Sequence, residues 1–138
     1  MLALAMCLTA PAIGADVERI EFDVGGQIGP YIQKMKSWRK AGRRVVVDGP
    51  CLSACTLILG IMPRDRICVT WRALFGFHTA WKPGQDGAPV VNSDATQFLW
   101  GFYPDDIKAW ILSNGGLSGD MLLLGGKPLT AMIASCRP

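Results

Sequence analysis

The chain has 138 residues, half of them hydrophobic and 18% charged, with a net charge of +3. These values exclude a disordered chain and leave room for one globular domain of ordinary size rather than two. The main basic cluster, Lys34, Lys36, Arg39, Lys40, Arg43 and Arg44, has no aromatic or glycine motif for nucleic acid beside it; it reads as a solvated helix face plus a turn, and no nucleic-acid partner is expected.

The first fifteen residues, MLALAMCLTAPAIGA, carry no charge and end in small side chains before Asp16. They read as a signal peptide cleaved after Ala15, followed by a domain over residues 16–138, exported to an oxidising space such as the bacterial periplasm. The stretch departs from the usual signal pattern because no Lys or Arg precedes Arg19. It is too short to cross a bilayer as a helix, so no stable membrane span is expected.

VERIEF (17–22) alternates as a half-buried strand does. The glycine pair in DVGGQIG marks a tight turn or a close backbone approach. Gly29-Pro30 opens a helix whose apolar face is Tyr31, Ile32, Met35 and Trp38, ending at Ala41-Gly42. RRVVVDG reads as a buried strand, and SACTLILGIM as an interior helix closed by Pro63. ICVTW and ALFGFH read as short strands, the second ending at His78, and WKPGQDGAPVVN as a loop or hairpin. Ser93 or Asp94 is placed to cap a helix through TQFLWGF, and Pro104 to start DDIKAWILSN. The end, MLLLGGKPLTAMIASC, gives an apolar segment, a turn and a last helical turn. Strands alternate with helices, so the class is α/β.

Loss of Cys7 with the leader leaves four cysteines, Cys51, Cys55, Cys68 and Cys136, an even number that suits disulfides in an exported domain. Four cysteines allow three connectivities, and spacing does not choose among them. The pattern C-x₃-C-x₁₂-C-x₆₇-C is not that of a zinc site, and His78 is the one histidine, so neither metal nor cofactor is expected.

In an α/β chain the reactive groups gather where strands end and helices begin. DGPCLSAC puts Ser53 at such a junction, with the N–H of Ala54 aimed at any oxyanion that its attack creates. A serine hydroxyl needs a base, and His78 is the available imidazole. The plainer alternatives are a helix cap for Ser53 and a core imidazole for His78.

Four stretches, in this order, resemble the Clp-type serine peptidases of the ClpP/crotonase superfamily: DVGGQI, GPCLSACT, ALFGFH and KPLTAMIA. The resemblance runs from Val17 to Cys136 and is nearest to small exported ClpP-like bacterial proteins. It implies a spiral of short ββα units, here shortened at the N-terminus because the strands that usually precede the Gly-Gly turn are missing. It also implies Ser53 as nucleophile, His78 as general base, and the N–H groups of Gly26 and Ala54 as oxyanion hole. The expected reaction is hydrolysis of a peptide or ester substrate, in a chain that could assemble as a homo-oligomer. The loop after His78, from Lys82 to Asn92, would flank the substrate. The family's third member is an acid just before a segment like KPLTA, where this chain reads LLLGGKPLT. Asp120 is the first candidate for that role, followed by Asp106 and Asp105. A disulfide from Cys51 or Cys55 would hold the elbow, with Cys68 as the expected partner.

Three rival readings remain. A non-catalytic binding module would use Trp71, Trp81, Trp100 and Trp110 in contacts. A thiol redox protein would use Cys51 and Cys55, although C-x₃-C is not the redox spacing. Acyl-CoA chemistry fits an exported chain poorly.

Overall fold

A computed structural model describes residues 16–138; the expected signal peptide over 1–15 lies outside the described residues. The elements in chain order are β1 (Val17–Ile20), α1 (Ile28–Lys40), β2 (Arg44–Val47) and β3 (Pro50–Leu52). A 3₁₀ helix, Ser53–Leu57, then runs into α2 (Ile58–Ile61). β4 (Ile67–Val69), β5 (Leu74–Phe77) and the hairpin strands β6 (Trp81–Pro83) and β7 (Pro89–Val91) follow. α3 (Ser93–Trp100), α4 (Asp105–Ser113), β8 (Leu122–Gly125) and α5 (Gly126–Thr130) complete the domain. The class is α/β, as alternation predicted. None of the described helices is long and apolar enough to cross a membrane.

Besides the β6-β7 hairpin there are two three-stranded sheets, which the chain links in an ordered way. The first has order β1-β2-β4, all parallel, and the second β3-β5-β8, with β5 parallel to β3 and antiparallel to β8. Each of three chain passages crosses from the first sheet into the second. β1 leads to Asp23, which bridges Cys51 of β3; β2 continues into β3; and β4 turns into β5. The strand predicted over RRVVVDG is therefore the first half of a longer passage, broken at Asp48-Gly49.

That break is a crossing point. A Cβ on Gly49 would lie 1.9 Å from the Glu21 carbonyl oxygen, so only glycine lets the first two passages touch. Beside it, the buried Asp48 carboxylate accepts from Arg72 of the β4–β5 turn, from Thr70 Oγ1 at 2.6 Å, and from Arg19 of β1. One carboxylate thus binds all three passages. The hydrogen bonds from Arg72 and then Thr70 hold its carboxyl well below the usual carboxylate range.

The core draws β-branched Val45 and Val47 from β2, Phe75 and Phe77 from β5, Met35 from α1, and Leu57 and Ile58 from the helical segment after the elbow. Ile107 and Ile111 of α4 close it from another side, four residues apart on one helix face. The buried character expected of SACTLILGIM holds, since Ala54 to Leu59 are all buried. Its first turn, however, is 3₁₀ rather than α. Two boundaries also move: α1 begins at Ile28, ahead of Pro30, and α3 is capped by neither Ser93 nor Asp94. Asn92 is its cap, its side chain accepting from the Ala95 N–H at 3.1 Å.

The disulfides are Cys51–Cys55 and Cys68–Cys136. The expected bond from Cys68 to an elbow cysteine does not form. Cys68 lies on β4 in the first sheet, whereas Cys51 lies on β3 in the second. The C-terminal tail instead runs beside β4, with Val69 N–H on Ala134 O and Cys136 N–H on Val69 O, both at 2.9 Å, and so delivers Cys136 to Cys68.

Candidate active site

The chain leaves β3 extended at Leu52 and turns into the 3₁₀ helix at Ser53 itself, where φ is +56°. Ser53 is the one non-glycine with positive φ among the described residues. A side chain in that region costs of order 1–3 kcal/mol and persists where surrounding structure holds it. Three features hold it here. The Cys51–Cys55 disulfide closes over it, both cysteines fully buried. Thr56 Oγ1 donates to the Ser53 carbonyl at 2.7 Å, with the Tyr103 hydroxyl 2.7 Å from the same Thr56 oxygen. Gly25, itself at φ +83°, presses against it; a Cβ there would come within 2.6 Å of Ser53 Cβ and of Leu52 O. The burial of both cysteines makes this disulfide a brace and removes the exposure that a redox pair needs.

The glycine turn has its own support. Asp23 Oδ1 accepts the Gly25 N–H at 2.9 Å and also the Tyr31 hydroxyl, while Lys34 Nζ stands 3.6 Å from Asp23 Oδ2. Burial, then the Asp23 carboxylate, pushes Tyr31 up to about 12, so it stays a donor. With Gly25 N–H engaged by Asp23, the N–H of Gly26 has no protein acceptor among the described residues. Ala54 is the second residue of its helix, where N–H groups lack an intrahelical partner.

Val24 to Ile28, Ser53, Ala54, Leu57, His78, Tyr103 and the strand Trp81–Pro83 line a single cavity of about 680 Å³. Ser53, His78, Gly26 and Ala54 are thus brought to one place. His78 follows directly on the buried strand end Phe77 and is half-buried. Asp120 is not in the lining. It is exposed, in the loop between Ser118, whose carbonyl accepts from Thr79 N–H at 2.8 Å, and Leu122, which pairs with Phe77. That loop therefore runs beside the histidine segment. The hydrogen bonds at Ser53 and Asp120 go through their backbones, Asp120 N–H meeting Ser118 Oγ at 3.1 Å, and neither side chain bonds the His78 ring among the described residues. Asp106 is engaged elsewhere: Arg64 grips it through both guanidinium nitrogens, at 2.9 and 3.0 Å, and holds its carboxyl below the usual range. Asp105 lies beside it in the first turn of α4.

Sequence reasoning missed Thr56 and Tyr103. Thr56 carried a signal, a hydroxyl three residues beyond Ser53 able to reach back to its carbonyl. Tyr103 carried none, since only the folded chain brings it to Thr56 across 47 residues. Burial pushes its phenol up to about 12, against the lowering effect of Thr56. Of the tryptophans, Trp81 lines the cavity, Trp71 is 89% exposed away from it, and Trp100 and Trp110 pack against the core.

No family model and no curated protein matches the sequence. Among solved structures, the chain is similar to a ClpP1 mutant from Listeria monocytogenes, at 14% identity and a TM-score of 0.49, over 89% of this chain and 74% of that one.

Proposed function

We propose that this protein is a ClpP/crotonase-type serine hydrolase acting on a peptide or ester bond. The observation that carries the reading is Ser53: a serine at positive φ, first in its helix, facing a cavity that His78 also lines. Such a turn exposes a nucleophile at the end of a strand. In the proposed reaction Ser53 Oγ attacks the substrate carbonyl while His78 takes its proton. The oxygen that gains charge receives the N–H groups of Gly26 and Ala54. Collapse expels the amine or alcohol, which takes the proton back from His78, and water then repeats the sequence on the acyl-serine. Contact between Ser53 and His78 is expected to tighten when substrate fills the cavity. Asp120 is proposed as the group that orients the imidazole, because its loop runs alongside. The two disulfides suit an oxidising compartment and support export as part of the proposal.

Hydrolysis of 4-nitrophenyl esters by the purified protein tests the reading, with Ser53→Ala as control. Turnover that survives in Ser53→Ala would assign the activity to something else. A second reading, a binding module on the same cavity, is favoured by the position of Asp120 outside the lining, and takes first place if no serine-dependent turnover is found.

A further inference from the structure

The cavity at Ser53 has an uneven charge. Its walls are mainly apolar, with Val24, Ile28, Leu57 and Leu99 among them, and the lining holds no carboxylate among the described residues. Among the described residues, one lining residue has a fully charged side chain, Lys82. It lies in the middle of β6, opposite Val90 of β7, so its cross-strand neighbour cannot neutralise it. The ion pairs among the described residues all involve other cations. The nearest acid along the hairpin, Asp86, accepts the Ala88 N–H at 3.0 Å and closes the hairpin turn. Asp94, in the first turn of α3, is outside the lining.

We infer that Lys82 is a specificity-determining residue, and that the site prefers an acyl group bearing a carboxylate. A single sign of charge beside low-dielectric walls focuses the field into the cleft and gathers ligands of opposite sign. The long methylene stem of lysine can lie on the apolar strand while its ammonium stays at the rim. The carboxylate could belong to an acidic peptide side chain or to an ω-carboxyacyl group. The chemical step rests on the hydrolase reading above; the charge preference does not.

The test uses Ser53→Ala protein, so that binding is read without turnover. The monoanilide of adipic acid and its neutral counterpart hexananilide are titrated by tryptophan fluorescence, Trp81 being in the lining. The acid is expected to bind about three- to fivefold tighter at low salt, the scale of a partly exposed ion pair. That margin shrinks as salt screens the rim. Adding Lys82→Met removes it, and adding Lys82→Glu reverses it. An acetylated peptide amide with Glu, set against the same peptide with Gln, identifies the source: a Lys82-dependent margin in either pair supports the inference and says which carboxylate is read. Equal binding within both pairs, or a margin that survives Lys82→Met, overturns it. Ester turnover by the unmodified protein is measured in parallel. Serine-dependent turnover without a charge margin would sink this inference and leave the hydrolase standing. A margin without turnover would do the reverse.

Discussion

Asp48 and Ser53 lie five residues apart on the same chain passage, and each is the polar centre of its neighbourhood. Asp48 is saturated: two guanidinium groups and a hydroxyl use its lone pairs, and it ties three passages together. Ser53 is the opposite. Its backbone is held by Thr56, a disulfide and a glycine turn, while its own hydroxyl has no bond among the described residues and sits at the cavity. A buried polar group whose bonding capacity is filled serves architecture. One that is braced in an uncommon conformation at a cavity is the group that the proposed reaction would use. The contrast can be broken at either end.

The largest effect is expected at the unfilled end. Ser53→Ala and His78→Ala should each cut ester turnover by about 10³-fold or more, and the double variant should cost no more than either, since the two act as a unit. Additive losses would show that they work independently.

The disulfides divide in the same way. Cys68–Cys136 closes a separation of 68 residues and Cys51–Cys55 one of 4. On chain entropy the first is worth about 4 kcal/mol and the second about 2 kcal/mol. Replacing both cysteines of the long bridge by alanine should therefore lower the denaturation midpoint more, while the fraction that remains folded keeps its turnover. Replacing both cysteines of the short bridge should cost less stability and more turnover, because it frees the Ser53 backbone. Equal loss of turnover per folded molecule in the two variants would contradict the division.

At the saturated end, Asp48→Asn should lower the melting temperature near neutral pH and leave the turnover of folded protein alone. The sign follows from its carboxyl lying below its unfolded value in the folded protein. The stabilisation is fully present above the unfolded pKa of about 3.9 and is lost as pH falls through the folded value. Melting curves of both proteins should converge as the pH drops below about 4. A gap that stays constant into acid would show that the carboxylate charge is not what holds the joint. Asp106, lowered by Arg64, titrates in the same direction in both proteins and leaves the comparison intact.

The local conformation of the candidate site was legible in the sequence because it depends on neighbouring residues. DGPCLSAC reads as a strand, a small hydroxyl and a helix in succession, and the Gly-Gly turn is visible as two letters. The alternating classes of element gave the α/β class. What was not legible depends on pieces distant in the chain. The pairing of Cys68 with Cys136 follows from the tail lying beside β4, which no spacing announces. The broken passage at Asp48-Gly49 looks like the end of a strand until Glu21 is seen against Gly49. The cap of α3 was expected at Ser93 or Asp94 and lies at Asn92, because all three residue types are good caps and propensity does not choose among them. The proposed role of Asp120 had no motif behind it, since LLLGGKPLT holds no carboxylate and Asp120 lies on the loop before it.

The smallest effect is expected at Tyr103, which contacts a neighbour of Ser53 and a neighbour of His78. Its hydroxyl meets Thr56, which holds the Ser53 carbonyl, and its ring stands edge-on to Phe77, the residue before His78, at 5.3 Å between centroids. Tyr103→Phe keeps the ring and removes only the hydroxyl. Thr56 can still donate to Ser53, so the elbow loses one supporting bond and not its conformation. A net hydrogen bond of about 1 kcal/mol sets the scale, so kcat should fall by up to about fivefold. KM should stay where it is and the melting temperature should change little. Tyr103→Leu also removes the edge contact, and should lower kcat further while leaving folded protein. Because Tyr103 also lines the cavity, its wall role must be separated from its bracing role. A rise in KM with kcat intact in Tyr103→Phe would make it a wall. A fall in kcat that Thr56→Val reproduces, and that the double variant does not deepen, would place both residues on one brace behind Ser53.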